Sequence, residues 1–318
     1  MRLLGVEFRR AFARRLTKLV FILSIAGIIA AGLSVFFTSK NETIQTVARG
    51  PKIVGFVDAC TRGEPLPVDQ LPPLPAVGTS ARAQACQAFV NQQTVDTIDK
   101  RFHLTNLLDI LKHVSAFAAI IAWLIGASFI GAEWRSGSFA TLLTWEPRRF
   151  RVMVAKAIAV VVVSFIMVMV LQAMLVGALY PSAVYHGSTA VTGSGDFIHF
   201  PTAAAFWRSL SYLGLRSGAL AAGAALAGFA IGAIGRNTAA SLGVGFFYIA
   251  VVEGAIIGNF IPKARPWLLV RNAIVFINNA RVFEIPHRTP LQAGLITFGY
   301  AVGLFLIATL VTRARDVN

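Results

Sequence analysis

Apolar runs of bilayer length alternate with short basic breaks along most of this chain. A helix needs about 20 consecutive apolar residues to cross a hydrocarbon core. Runs of that size occupy 19–37, 107–132, 152–179, 239–257 and 291–311. A sixth lies in 206–235, where Arg208 and Arg216 assign the opening turns to an interface and leave 217–235 to cross. The pattern therefore predicts an all-α polytopic membrane protein with six transmembrane helices. Residues 2–16 set Leu3, Leu4, Phe8, Phe12 and Leu16 near one helical face, with Arg9, Arg10, Arg14 and Arg15 available to headgroups. That spacing predicts an amphipathic interfacial helix. The run that follows is longer than the ~7–15 apolar residues of a cleaved signal peptide, so 19–37 is expected to be retained as the first span.

Two stretches break the rhythm without crossing. Residues 39–104 hold Pro51, Pro65, Pro67, Pro72, Pro73 and Pro75 and too few aliphatics for a core of their own. An extended, polyproline-like loop is expected near 63–78, followed by helix over 80–102. Both cysteines, Cys60 and Cys86, fall in this loop subdomain with no metal-ligand companion at short spacing, and an extracellular disulfide is the simplest reading. Residues 259–290 carry Lys263, Arg265, Arg271, Arg281 and Arg288 against the single acid Glu284. Their mixture of apolar and charged positions predicts an interfacial or re-entrant helix on the outer side.

The densest basic interruption runs from Glu133 to Lys156 as EWRSGSFATLLTWEPRRFRVMVAK. Within it Phe139, Leu142 and Leu143 recur at helical spacing, so a short helix with one apolar face is expected before Pro147. Such an element, held between two spans and flanked by arginines, suits docking of another protein; the plainer alternative is an ordinary turn.

Composition narrows the class. With 56% hydrophobic and 14% charged residues and a mean hydropathy of +0.68, the chain cannot be an ordinary soluble domain. The net charge of +15 sits mostly at the ends of apolar runs, which points to anionic headgroups and topology signals rather than nucleic acid. Basic residues beside the spans (Arg2, Arg9, Arg10, Arg14, Arg15, Lys18, Arg135, Arg148, Arg149, Arg151, Lys156, Arg236, Arg313 and Arg315) put both termini and 133–151 inside. The disulfide loop is then outside. The five histidines are scattered, with no HxxxH or HExxH pair to suggest a metal site. Inside the spans, Gln172 is expected to bond a neighbouring helix. Gly228 and Gly232, in a run of small residues, permit close helix approach. Glu253 must be neutral, paired or facing water, with Arg216 and Arg271 as possible partners. Arg265 and Arg271 are candidate contacts for an anionic headgroup or substrate.

The chain resembles the permease subunit of ABC exporters of the type-2 class in the motif between spans 2 and 3, with Glu133, Trp134, Arg135, Gly137, Ser138, Leu142, Leu143, Pro147, Arg148, Arg149 and Lys156 at the matching positions. Ser138 stands where threonine is more usual, and Trp145 and Glu146 replace smaller residues. The outline agrees over the whole chain: amphipathic start, six spans, re-entrant region. The resemblance implies that 133–151 is a coupling helix, with Phe139 and Arg151 beside the motif, that seats on a separate ATPase subunit. It further implies that ATP and Mg bind in that partner, that this chain is not itself an enzyme, and that it pairs with a second copy or a homologous permease in the plasma membrane. The expected cargo is an amphipathic or apolar compound such as a drug, antibiotic or lipid. The chain contains no GxxxxGK[ST] phosphate-binding loop. Two other classes compete: an ABC-linked membrane sensor, and a membrane-embedded enzyme acting on lipids with Glu253 as its polar centre.

Overall fold

A computed structural model describes residues 2–40, 43–49, 60–62, 75–77, 79–91, 93–145, 148–191, 200–257, 260–279 and 288–314. Six helices are long and apolar enough to cross a membrane, so the chain reads as a multi-pass membrane protein. They are α2 (Arg15–Thr38), α4 (Asn106–Arg135), α6 (Arg149–His186), α7 (Ala203–Gly235), α8 (Thr238–Phe247) with its continuation to Ile257, and α10 (Pro290–Ala314). The amphipathic α1 (Arg2–Ala13) precedes them, and α5 (Ser138–Trp145) links α4 to α6.

Helix α7 is the axis of the bundle. It touches α4, α6 and α10, and its most extensive neighbour is α4. Small residues make that pairing possible. A methyl group on Gly228 would run into the Trp123 carbonyl oxygen, and one on Gly232 would lie 3.1 Å from that of Ala127. Gly126 of α4 faces the Ala225 backbone in the same way. Absent side chains let the two backbones touch, which is how apolar helices gain packing where water gives no drive. The Gly228–Gly232 spacing is thus spent inside the chain.

Helix α6 overruns its expected end. The expected span stopped at Leu179 because Pro181 and the small residues after it signal a turn, yet the helix continues through Pro181 to His186. A proline costs a helix one N–H bond, and this one falls in the last turns. The ring of His186 lies 4.4 Å from that of Phe36, and its Nδ1 is 2.8 Å from the Phe36 carbonyl oxygen. Those contacts tie the far ends of α6 and α2. At the same end, Phe102–His103 and Gly187–Ser188 form a two-residue parallel pairing.

The 39–104 region departs from the all-α expectation. Its helix, α3 (Ser80–Asn91), ends before the expected 102, and Gln93–Asp99 instead runs antiparallel to Thr43–Arg49. Ile44 faces Ile98 and Val47 faces Val95 in the register, among threonines. Such β-branched, alternating segments suit a ribbon better than a helix. Cys60 and Cys86 are bonded and fully buried. Arg82 braces the closure, donating to the carbonyls of Cys60 and Pro75 at 2.7 and 3.0 Å. The proline-rich stretch 63–74 lies outside the described residues.

Between the last two spans come a 3₁₀ turn (Pro262–Trp267) and α9 (Leu269–Asn278). At about 15 Å, α9 is too short to cross a bilayer. It packs chiefly against α10, burying Asn272, Val275 and Ile277.

Candidate functional site

Four charged side chains that sequence spacing keeps far apart meet at the end of the bundle where α1, α4 and α6 converge. Lys156 of α6 is 2.8 Å from Glu7 Oε2 of α1 and 2.7 Å from Glu133 Oε2 of α4. The contact with Glu7 is a hydrogen bond, whereas the approach to Glu133 is an ion pair whose direction lies off the hydrogen-bond axis. Arg14 then pairs with Glu133 Oε1 at 3.1 Å and donates to the carbonyls of Ser128 and Phe129, both at 2.7 Å. Lys156 and Glu7 are 0% exposed. The more exposed Arg10 also reaches Glu7 Oε1 at 3.4 Å, so each buried carboxylate meets two cations and each buried charge has a partner, the condition under which buried charge is tolerated. The Phe129 ring closes it, 4.5 Å from the Arg14 guanidinium and 5.5 Å from the Lys156 ammonium. Burial draws the Arg14 guanidinium below its ordinary range, while the neighbouring Glu133 carboxylate acts in the opposite direction.

This geometry corrects the reading of α1. Glu7, Ala11 and Arg14 form its inward stripe, and Val6, Phe12 and Leu16 are exposed. Arg14 belongs to the protein interior and not to the headgroups, whereas Arg9, Arg10 and Arg15 remain at the surface. Charge joins the apolar contacts of Phe8 and Ala11 in holding α1 to the bundle, because Lys156 offers Glu7, and Glu133 offers Arg14 just after the helix, partners that an interface does not.

Helix α5 stands directly on this cluster. Gly137 turns the chain out of α4 at φ +71°, a left-handed conformation that glycine adopts without penalty. Ser136 and Ser138 lie 2.9 Å apart through their hydroxyls, and both reach the Glu133 carbonyl. Phe139 is fully buried against Trp134, ring centroids 4.6 Å apart, and Leu143 is buried in the same core as Ala11 and Met153. Two of the three apolar residues expected to face a partner are therefore turned inward, and Leu142 is half-buried. What α5 presents instead is Trp145, 85% exposed. Arg10, Ser136, Gly137, Ser138, Thr141, Leu142 and Trp145 line a cleft of about 520 Å³ between α1 and α5.

The flanking arginines divide by role. Arg135, Arg148 and Arg151 are exposed. Arg149 donates to the carbonyls of Thr312 and Arg313 at 3.2 and 3.3 Å, satisfying the last turn of α10. Arg236, in the left-handed turn after α7, lies 4.7 Å above the Trp134 ring. Pro147 lies outside the described residues.

The other candidates fall at the far end and do not converge on α5. Gln172 donates to Ser217 at 2.6 Å and to Ser115 at 3.4 Å, fastening α6 to α7 and α4 as expected for a helix-packing residue. Its carboxamide oxygen rests against Gly214, where no Cβ intervenes. Glu253, within a π-helical stretch (Tyr248–Ile257), accepts the backbone N–H of Val270 at 2.6 Å and of Arg271 at 3.2 Å. The carboxylate thus caps α9, where the helix dipole favours negative charge. Arg265 and Arg271 are half-buried around the same hairpin. Arg216 is half-buried on α7. Glu7 is the functional residue that sequence reasoning missed. Its signal was available, since it is the one acid in the first 41 residues, placed four residues before Ala11 and seven before Arg14. Compared with models of known protein families, with curated proteins and with solved structures, the chain matches none.

Proposed function

We propose that the chain is the permease subunit of an ATP-driven exporter of the ABC type-2 class. It works as a pair of permease subunits with a separate ATPase bound at α5, both termini lie in the cytoplasm, and the cargo is an amphipathic or apolar compound moved outward. The observation that carries this reading is the construction of α5. A short helix outside the spans packs on its inner side through Phe139 and Leu143, beside the ion cluster of three helices, and with Leu142 and Trp145 lines a cleft. A helix so anchored, with an exposed tryptophan beside a cleft, is what a partner needs in order to move the spans. Push on α5 would pass through Phe139 and Leu143 into the α4 end, then through Glu133 and Lys156 to α6 and through Glu7 to α1. ATP and Mg act in the partner, whose closure would rock the paired permease subunits between two openings.

The test uses the full chain produced together with a candidate ABC ATPase subunit. In vesicles, a fluorescent amphiphile should cross only when ATP is supplied. Trp145→Asp should release the ATPase from the purified complex and leave the melting temperature unchanged, and Leu142→Asp, at a half-buried position, should release it with some loss of melting temperature. Normal ATPase retention by both variants would remove α5 as the docking element. ATP hydrolysis without movement of any amphiphile would favour a sensor.

A further inference from the structure

Among the described residues the cations near the spans that are buried or half-buried have partners, with one exception. Lys156 and Arg14 have the buried carboxylates, Arg149 the α10 carbonyls, Arg236 the Trp134 ring, Arg288 the Pro266 carbonyl and Lys112 the Asp109 carboxylate. Arg216 differs. It is half-buried within a spanning helix, and among the described residues it has no hydrogen bond, ion pair or ring contact. Helix α7 contains no acidic residue at all. A cation partly removed from water without a counterpart is costly, and the cost falls when an anion joins it.

Its surroundings indicate what anion. Arg208, Tyr212 and Arg216 follow one another at intervals of four, so they form a strip over about 12 Å of one side of α7. Arg208 is exposed and Tyr212 is 57% exposed. Trp207, also partly exposed, stands beside the strip, and aromatic residues of this kind collect where hydrocarbon meets headgroups. From Arg216 to Gly235 the helix rises about 28 Å, close to the ~30 Å of a hydrocarbon core. With Gly235 at one boundary, Arg216 marks the other. Leu215 at 46% exposed offers apolar surface next to it.

We infer that Arg208, Tyr212 and Arg216 form a binding ladder for the anionic head of an amphiphile, a phosphate or carboxylate whose acyl or alkyl tail lies along α7. The guanidiniums supply charge and forked donors, and the tyrosine hydroxyl supplies a further donor between them. The binding assignment stands by itself; naming the ligand as cargo rests on the permease reading.

Full-length protein in detergent is titrated with short-chain phosphatidylglycerol and, separately, with phosphatidylcholine of the same chain length, and adducts are counted by native mass spectrometry. Phosphatidylglycerol should bind preferentially. Arg216→Gln should weaken it about tenfold, as for loss of one charged hydrogen bond, while Arg216→Lys keeps most of the binding and shows that the fold is intact. Equal retention of the two lipids, or an Arg216→Gln variant that binds like the parent, would overturn the ladder. Displacement by inorganic phosphate at the same concentration would overturn the amphiphile and leave a small-anion site. Two sources of the ligand are separated in ATP-supplied vesicles: slower movement of a fluorescent alkyl phosphate in Arg216→Gln marks cargo, and unchanged movement with lost lipid retention marks a resident headgroup. A parent that binds phosphatidylglycerol selectively yet moves nothing with ATP would sink the permease reading and spare this one.

Discussion

The two ends of the bundle are held together by different chemistry. At the α5 end, Glu7, Arg14, Glu133 and Lys156 draw three helices into one dry cluster. At the other end a disulfide, a two-stranded ribbon and a ring contact between Phe36 and His186 join the segments that emerge from the spans. A disulfide acts largely by narrowing the unfolded chain, and for a loop of 26 residues that effect is roughly 3–4 kcal/mol. The ion cluster acts in the folded state, and only while its geometry holds. One end is therefore fastened independently of how the helices lean, whereas the other reads their relative positions over tenths of an ångström. On the permease proposal the α5 end takes force from a partner, and the second kind of joint suits it.

The comparison breaks most severely if Lys156 is lost. Lys156→Met removes the fully buried cation that Glu7 and Glu133 share, leaving each with a single arginine, and should cost about 3–5 kcal/mol, seen as a large drop in melting temperature in detergent. Adding Glu7→Gln should recover part of that loss, and a second change that deepens it would show that the pair does not share one cluster. Next in size, Cys86→Ser should remove roughly 3–4 kcal/mol from the 39–104 loop alone. Limited proteolysis would detect it as faster cleavage within 39–104, with the melting of the spans unmoved; a lowered span melting point would show that the two ends are not independent. Between the ends, Gly228→Val presses a side chain into the Trp123 carbonyl and should cost about 1–3 kcal/mol, with loosening of α4 against α7 read by cysteine cross-linking. Smallest is Glu253→Gln, which weakens the cap on α9 by about 1 kcal/mol. Hydrogen exchange should rise at Val270 and Arg271 and stay level in α10.

Much of the frame was legible before any coordinates. Six apolar runs became six helices, because bilayer length is a property a sequence states outright. Cys60 and Cys86 found each other, as two cysteines in one hydrophilic loop should. The ribbon escaped notice because Thr43–Arg49 is polar enough to pass for loop and Gln93–Asp99 fell within the helix expected over 80–102, and strand pairing across some fifty residues leaves no local mark. The α5 face was half legible. Helical spacing identified Phe139, Leu142 and Leu143 as one apolar side, but periodicity cannot say whether that side meets a partner or its own core, and two of the three turned inward. The ion cluster was hidden for a further reason. Arg14 and Lys156 each look like ordinary boundary cations, and only Glu7, an acid among arginines, hints that α1 buries charge.

Helix α2 illustrates what sparse attachment means for variation. Along its 24 residues only Thr17 and Gly32 are buried. It is held beside its first turn by Arg14, near its upper third where Gly32 meets the Ala178 backbone, and at its last turn through Phe36. Between those points Val20, Phe21, Ile28 and Val35 rest half-buried on the core, and the lipid-facing positions accept any apolar side chain. A saturation scan should therefore read as a bar code on this helix: a few narrow positions that tolerate little exchange, separated by exposed stretches where leucine, isoleucine, valine and phenylalanine trade freely and only charge is refused.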